Sequence, residues 1–214
     1  MKMNPGKVVL AADEIQRRIE ELAAEISNDY REENPVLISL LKGAFIFFAD
    51  LVRNLTIPHE IDFITASSYS KGTEREKNVR IINDLKRDID GRNIIIVEGI
   101  VDTGHTVRHL IDLLSSRNAK SIRVCSLLDK PSSREVEVNV DYIGFTIPDI
   151  FVVGYGLDFR EMFRNLNYIA ELSFEGKRSE RVIHQRENYR TKGSKISQAG
   201  GSRGIEKEKG PIHT

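Results

Sequence analysis

Cysteine is nearly absent from this sequence: Cys125 is the only one in 214 residues. A single thiol cannot close an intrachain disulfide, and no cysteine cluster exists to hold zinc. Net charge is absent too. The 32 Lys and Arg balance 32 Asp and Glu, so composition gives no reason to expect a nucleic-acid partner. No apolar run approaches the ~18 residues that a membrane-spanning helix needs. The opening MKMNPGKVVLAADEIQ looks basic and then apolar, but the apolar run is too short for a signal peptide and acids follow at once. The expectation is a cytoplasmic protein without a membrane partner. No internal repeat is visible.

What is present is ordinary for one globular domain with a core: 40% hydrophobic and 30% charged residues. Ile15, Ile19, Leu22 and Ile26 form a helical stripe within residues 13–33, which Asn34-Pro35 should end. PVLISLL (35–41) is a continuous apolar run, suited to a strand covered on both faces. AFIFFADLVRNL reads as a mostly buried helix. EIDFITASSY (60–69) reads as a strand, SKGTEREKN (70–78) as a loop, and VRIINDL as a return strand. GRNIIIVEGIVD is the strongest central strand, TVRHLIDLLSS an amphipathic helix, and KSIRVCSLLDK the next strand. Cys125 lies inside that last run, so a buried structural thiol is expected. DYIGFTI, DIFVVGYGLD and NLNYIAELS make the C-terminal half β-rich. The alternation predicts an α/β fold with a mostly parallel sheet flanked by helices. Residues 175–214 are polar and basic with sparse, aperiodic apolar residues, which predicts a disordered C-terminal tail beyond a 1–174 domain. A basic interaction arm is the alternative reading of that tail.

The stretch carrying chemistry is IVEGIVDTGHT (96–106). A buried parallel strand delivers its last residues to the sheet edge where α/β folds bind ligands. There the chain turns into a helix through Thr103, Gly104, His105 and Thr106. The unbonded N–H groups of a first helical turn attract anions, and a glycine lets the backbone approach one closely. Glu98 and Asp102 cannot bind a phosphate, but suit sugar hydroxyls or Mg²⁺. A ribose 5-phosphate combines both needs. The turn matches neither G-x-x-x-x-G-K-[ST] nor G-x-G-x-x-G.

Further motifs accompany it: Leu41-Lys42-Gly43, Ser68-Tyr69, Lys130 in LLDKP, and DIFVVGYGLDFREMFRNLNY (149–168). Together they resemble the signature of type I phosphoribosyltransferases. Across roughly residues 8–173 the chain resembles the hypoxanthine-guanine members. The resemblance implies the type I fold, with a small base-binding hood. It implies a purine-salvage enzyme joining a 6-oxopurine to phosphoribosyl pyrophosphate (PRPP), with Mg²⁺ as cofactor and a homodimer or homotetramer as assembly.

Residue by residue, the resemblance implies that Asp102 takes the proton from the purine. Glu98, Thr103, Gly104, His105 and Thr106 bind the ribose 5-phosphate. Leu41, Lys42 and Gly43, with a cis Leu41-Lys42 peptide, bind pyrophosphate together with Arg164. Lys130, Phe151, Val152 and Ile100 surround the base, with Lys130 donating to its 6-oxo group and Phe151 stacking on it. Ser68 and Tyr69 open a mobile loop, and Asp158 and Glu98 serve the metal.

Each residue also has a plainer reading. Asp is a favoured helix N-cap, so Asp102 could cap the following helix. Lys130 could be an exposed loop lysine, Phe151 a core aromatic, and Arg164 a surface ion-pair partner. Lys71, Arg75 and Lys77 read as a solvated loop face. His105 and His109 stand at i, i+4, a zinc-compatible spacing, but no glutamate follows His105 and no cysteine lies nearby. Two other functions fit the fold: an RNA-binding regulator, favoured only by the tail, and a xanthine-preferring enzyme. Gly99 departs from the family pattern, which has a second acid directly after the glutamate. The expectation is weaker PRPP binding, or another acid or a water in its place, with Gly99→Asp tightening PRPP binding.

Overall fold

The computed structural model describes residues 3–70 and 77–174, without the side chains of 66–70 and 77–80. The expected tail, Lys71, Arg75 and the side chains of Ser68, Tyr69 and Lys77 lie outside the described residues.

Six strands form the main sheet: β2 (Val36–Leu41), β3 (Glu60–Ser70), β4 (Lys77–Asn83), β5 (Asn93–Val101), β6 (Ser121–Asp129) and β7 (Tyr142–Thr146). Their order is β4-β3-β2-β5-β6-β7, and only the β3–β4 pairing is antiparallel. Side chains alternate across a strand, and the two faces of this sheet divide accordingly. Leu37, Ile95, Val97, Cys125 and Leu127 pack with α1 (Ala12–Asp29) and α2 (Phe45–Asn54). Val36, Ile38, Ile94, Ile96 and Val124 pack with Val107, Leu110 and Leu114 of α3 (His105–Ser115). The central strands are therefore buried on both faces, as their continuous apolar runs require. Cys125 is fully buried, and burial pushes its thiol up. No helix among the described residues is long and apolar enough to cross a membrane.

A second, three-stranded antiparallel sheet, β1 (Met3–Leu10), β9 (Ile169–Phe174) and β8 (Val152–Val153), forms the hood. The sequence reading holds no strand at 3–10. Pro5 and Gly6 weaken its β pattern, and its register shifts between Pro5 and Val8. Pairing with β9 stabilises it instead.

α1 ends at Asp29, ahead of the expected Asn34-Pro35 stop. Asp29 and Tyr30 are drawn into a cluster with β6 and β7. Arg123 Nη1 lies 2.6 Å from Asp29 Oδ2, Tyr142 donates to the same carboxylate at 2.8 Å, and the guanidinium lies 5.5 Å from the Tyr30 ring. This contact fixes α1 against the sheet.

Candidate active site

β2 and β5 are adjacent and parallel, yet they lead to helices on opposite faces: β2 to α2, β5 to α3. Such a divergence opens a crevice at the C-terminal ends of the strands. Three candidate segments arrive there: Leu41-Lys42-Gly43 from β2, Glu98 to Asp102 from β5, and Lys130 just after β6.

The β5–α3 turn is built to expose backbone amides. Gly104 occupies the N-cap position with φ +89° and itself has no side chain with which to cap α3. Asp102 lies two residues before that position. A Cβ on Gly104 would sit 2.8 Å from the Val136 carbonyl and 3.0 Å from Arg134 Cδ, so glycine is required there. The Thr103 carbonyl accepts from the N–H groups of Glu135 and Val136 at 3.0 and 3.2 Å. The His105 ring engages Glu135 at 2.9 Å through Nε2. Arg134 donates to the Asp102 carbonyl at 3.1 Å and pairs with the Asp129 carboxylate. The segment after β6 therefore braces the whole turn.

Glu98 is 8% exposed, not a solvated strand end. Burial pushes its carboxyl up to about 8, against the opposing hydrogen bond from the Gly99 N–H. This acid is held where an incoming cation or hydroxyl donor would stabilise its charged form.

On the hood side, Lys130 is 2% exposed and donates to the Ile150 carbonyl at 2.5 Å. That burial replaces the plain reading of an exposed loop lysine. The contact joins the end of β6 to the segment carrying Phe151 and Val152. The Phe151 ring meets Phe159 edge-on at 5.6 Å, and Val152 pairs with Glu171. Ile100 packs against the α1/α2 core.

The pyrophosphate-side candidates converge despite their distance in sequence. Lys42 Nζ lies 3.0 Å from Glu161 Oε2, which also lies 3.3 Å from Arg164 Nη2. Arg164 pairs with Asp158 at 2.8 Å and donates to the Gly156 carbonyl at 2.8 Å. The neighbouring Lys42 ammonium, more than any other group, holds the Glu161 carboxyl below its ordinary range. The Leu41-Lys42 peptide is cis, as the resemblance implies.

A family model described as "Phosphoribosyl transferase domain" matches residues 7–160. The chain belongs to the phosphoribosyltransferase family. It is 46% identical over 178 residues to hypoxanthine phosphoribosyltransferase of Haemophilus influenzae, covering 82% of this chain and 99% of that protein. It is 45% identical over 172 residues to hypoxanthine-guanine phosphoribosyltransferase of Bacillus subtilis, covering 80% and 96%. A crystal structure of a hypoxanthine-guanine phosphoribosyltransferase from Bacillus anthracis superposes with a TM-score of 0.76 at 39% identity, covering 81% of this chain and all of that one.

In this phosphoribosyltransferase, no group of three or more His, Cys, Asp and Glu among the described residues is placed to hold a metal ion. The His105–His109 zinc reading gains no support, since the His105 ring turns to Glu135. Mg²⁺ is a different case: it takes hard oxygen ligands and is commonly held by one or two carboxylates plus substrate phosphates. Glu98 and Asp158 are donors of that kind. Sequence reasoning missed Arg134, Tyr155 and Glu161. Arg134 and Glu161 sit in polar stretches where no pattern separates them from solvated charge. Tyr155, flanked by glycines, offered at least the signal of a bulky residue in a turn.

Proposed function

We propose that the protein transfers the phosphoribosyl group of PRPP to hypoxanthine or guanine, releasing pyrophosphate and giving IMP or GMP in purine salvage. The observation carrying this reading is the meeting of three segments at one sheet edge: a glycine-turned helix N-terminus, a paired cationic cluster, and a buried lysine against the hood.

In this reading the 5-phosphate sits on the Thr103–Thr106 turn, held by backbone N–H groups and the helix dipole. Glu98 meets the ribose hydroxyls. Lys42, Gly43 and Arg164 receive the pyrophosphate, with Lys42 and Arg164 leaving Glu161. Asp158 and Glu98 would hold Mg²⁺, which supplies charge neutralisation at the leaving pyrophosphate. Phe151 stacks on the purine, Val152 offers backbone polar atoms to its edge, and Ile100 completes the base site. Lys130 donates to the 6-oxo group, a contact that a 6-amino purine cannot accept. Asp102 accepts the purine proton as the bond to the anomeric carbon forms, and its negative charge steadies the positive sugar in the transition state. The catalytic unit is residues 1–174, with 175–214 outside it. Ser68 and Tyr69, expected to open a mobile loop, lie in β3 and pair with Val79 and Asn78 of β4.

A homo-oligomer belongs to this reading. Phe45, Ile61 and Phe63 are 43%, 42% and 37% exposed beside Leu41 and Phe48, forming an apolar groove that a second copy would cover. A cytoplasmic location fits a substrate too highly charged to cross a bilayer unaided. Zero net charge speaks against the RNA-binding alternative, and a xanthine preference has no feature favouring it. The test is a radiolabelled-base assay with PRPP and Mg²⁺, in which hypoxanthine and guanine yield nucleotide. No product with either base would refute the reading. Asp102→Asn should lower kcat by on the order of 10²–10⁴ and leave the Kd for PRPP near wild type. Unchanged turnover would remove Asp102 as the base.

A further inference from the structure

We propose that Gly99 is a positioning residue: it seats the Leu41–Gly43 loop by leaving room for the Gly43 carbonyl against β5. The inference rests on the pyrophosphate role given to that loop above.

The backbone at Gly99 itself sets the direction of position 99. Ile95 and Val97 pack on the α1/α2 side, while Ile94 and Ile96 pack on the α3 side. The alternation does not carry past Val97, since Ile100 packs with the cluster of Ile95 and Val97 and Val101 with that of Ile94 and Ile96. A side chain at 99 would face Leu157, in the cluster of α1 and α2. It would point at the loop after β2. A Cβ there would lie 2.9 Å from the Gly43 oxygen, 3.3 Å from the Gly43 carbonyl carbon and 3.3 Å from Leu157 Cδ2.

The Gly43 carbonyl is pressed from a second direction. Gly156, at φ +95°, would place a Cβ 2.6 Å from the same oxygen. Gly43 itself is open, with a Cβ meeting only Leu157 Cδ2 at 3.9 Å. The crowding thus belongs to the two flanking glycines and not to the loop residue. Gly156 also exchanges two contacts with Arg164: its N–H donates to the Arg164 carbonyl at 3.0 Å, and its carbonyl accepts from Nη1 at 2.8 Å. The carbonyl next to Lys42 and the backbone that holds Arg164 are therefore in contact. Two side-chain-free positions set the spacing between the cations assigned to pyrophosphate.

This replaces the expectation that Gly99→Asp restores a missing ribose contact. An aspartate there brings a carboxylate toward a carbonyl oxygen and requires the loop to shift by a few tenths of an ångström. Displacements of about 1 Å in a binding site cost up to ~10²-fold, so a shift of this size should cost roughly three- to tenfold.

The test uses the full chain, with Gly99→Ala and Gly99→Asp. Both should raise the KM for PRPP and the Kd for pyrophosphate, titrated with Mg²⁺ by calorimetry, by about three- to tenfold. The KM for hypoxanthine should stay at the wild-type value. A tighter Gly99→Asp, or a Gly99→Ala with unchanged pyrophosphate affinity, overturns the proposal. A wild-type chain that makes no nucleotide sinks the functional reading alone, because the pyrophosphate titration still reports on the loop. Should the variants fail to fold, wild-type crystals soaked in pyrophosphate decide. The Gly43 oxygen should remain in van der Waals contact with the Gly99 Cα, and a carbonyl turned away from β5 overturns the proposal.

Discussion

Replacing Tyr155 by phenylalanine removes one oxygen atom that ties three elements together. Tyr155 is 3% exposed and sits at φ +52° between Gly154 and Gly156. Its hydroxyl donates to the Asp50 carboxylate on α2 and accepts from Gln16 Nε2 on α1 at 2.7 Å. Burial and the adjacent Asp50 push the phenol up, so it remains a donor across the working pH range. A hydrogen bond to a charged group contributes about 1.5–3 kcal/mol. Asp50 is 23% exposed in its side chain and regains some hydration when the partner is lost. The Gln16 contact is part-buried, but Gln16 is an exposed residue that water can satisfy instead, so it adds little. The cost should therefore fall near 2 kcal/mol. For a domain of this size each kcal/mol moves Tm by about 2–4 °C, so Tyr155→Phe should melt roughly 4–8 °C lower. In urea the midpoint should fall with the slope unchanged, because the ring and its packing are kept. The Gly154–Gly156 turn also carries the backbone contacts to Arg164, so kcat/KM for PRPP should drop while the KM for hypoxanthine holds. A melting temperature within a degree of wild type would refute the anchoring argument.

Two other outcomes follow from buried charge. Glu98 is raised from an ordinary 4.5 to about 8 by burial. The stability it permits is fully present below pH 4.5 and is lost progressively as pH rises toward 8. At pH 7 the loss is at most about 3 kcal/mol, so ligand-free Glu98→Gln in EDTA should melt above wild type at pH 7–8 and close to it near pH 5. Equal melting at both pH values would mean that the carboxyl is already compensated. Arg134 holds a largely buried Asp129 as well as the Asp102 carbonyl. Arg134→Met strands that carboxylate and should cost about 3–5 kcal/mol in urea unfolding. Arg134→Lys keeps the charge without the two-pronged geometry, so it should lower kcat with a smaller stability loss. A lysine variant with wild-type kcat would separate Arg134 from the Asp102 turn.

The parallel strands were legible because burial on both faces leaves a continuous apolar run, as in NIIIVEGIV. α3 was legible through its spacing of Val107, Leu110 and Leu114. The turn at 102–106 was legible because an acid, hydroxyls and glycine at a strand end have few other uses. β1 was not, since its pairing partner lies more than 150 residues away and its own residues resist extension. Gly99 was legible as an anomaly but not as a contact: which side of β5 it faces, and what stands there, depends on the loop after β2. Arg134 acts through backbone carbonyls and a carboxylate that only the fold brings near.

The pairing of Met3 with Phe174 in the hood sheet makes the described domain almost a closed ring. Its first and last residues stand one inter-strand step apart, about 5 Å. Both pack against the cluster holding Phe151 and Phe159. Both ends of the described domain thus lie beside the hood's aromatic cluster. The same adjacency suits circular permutation. A short linker across Met3 and Phe174 would join the ends, and a cut in the surface turn after α1 would supply new termini without touching the catalytic edge.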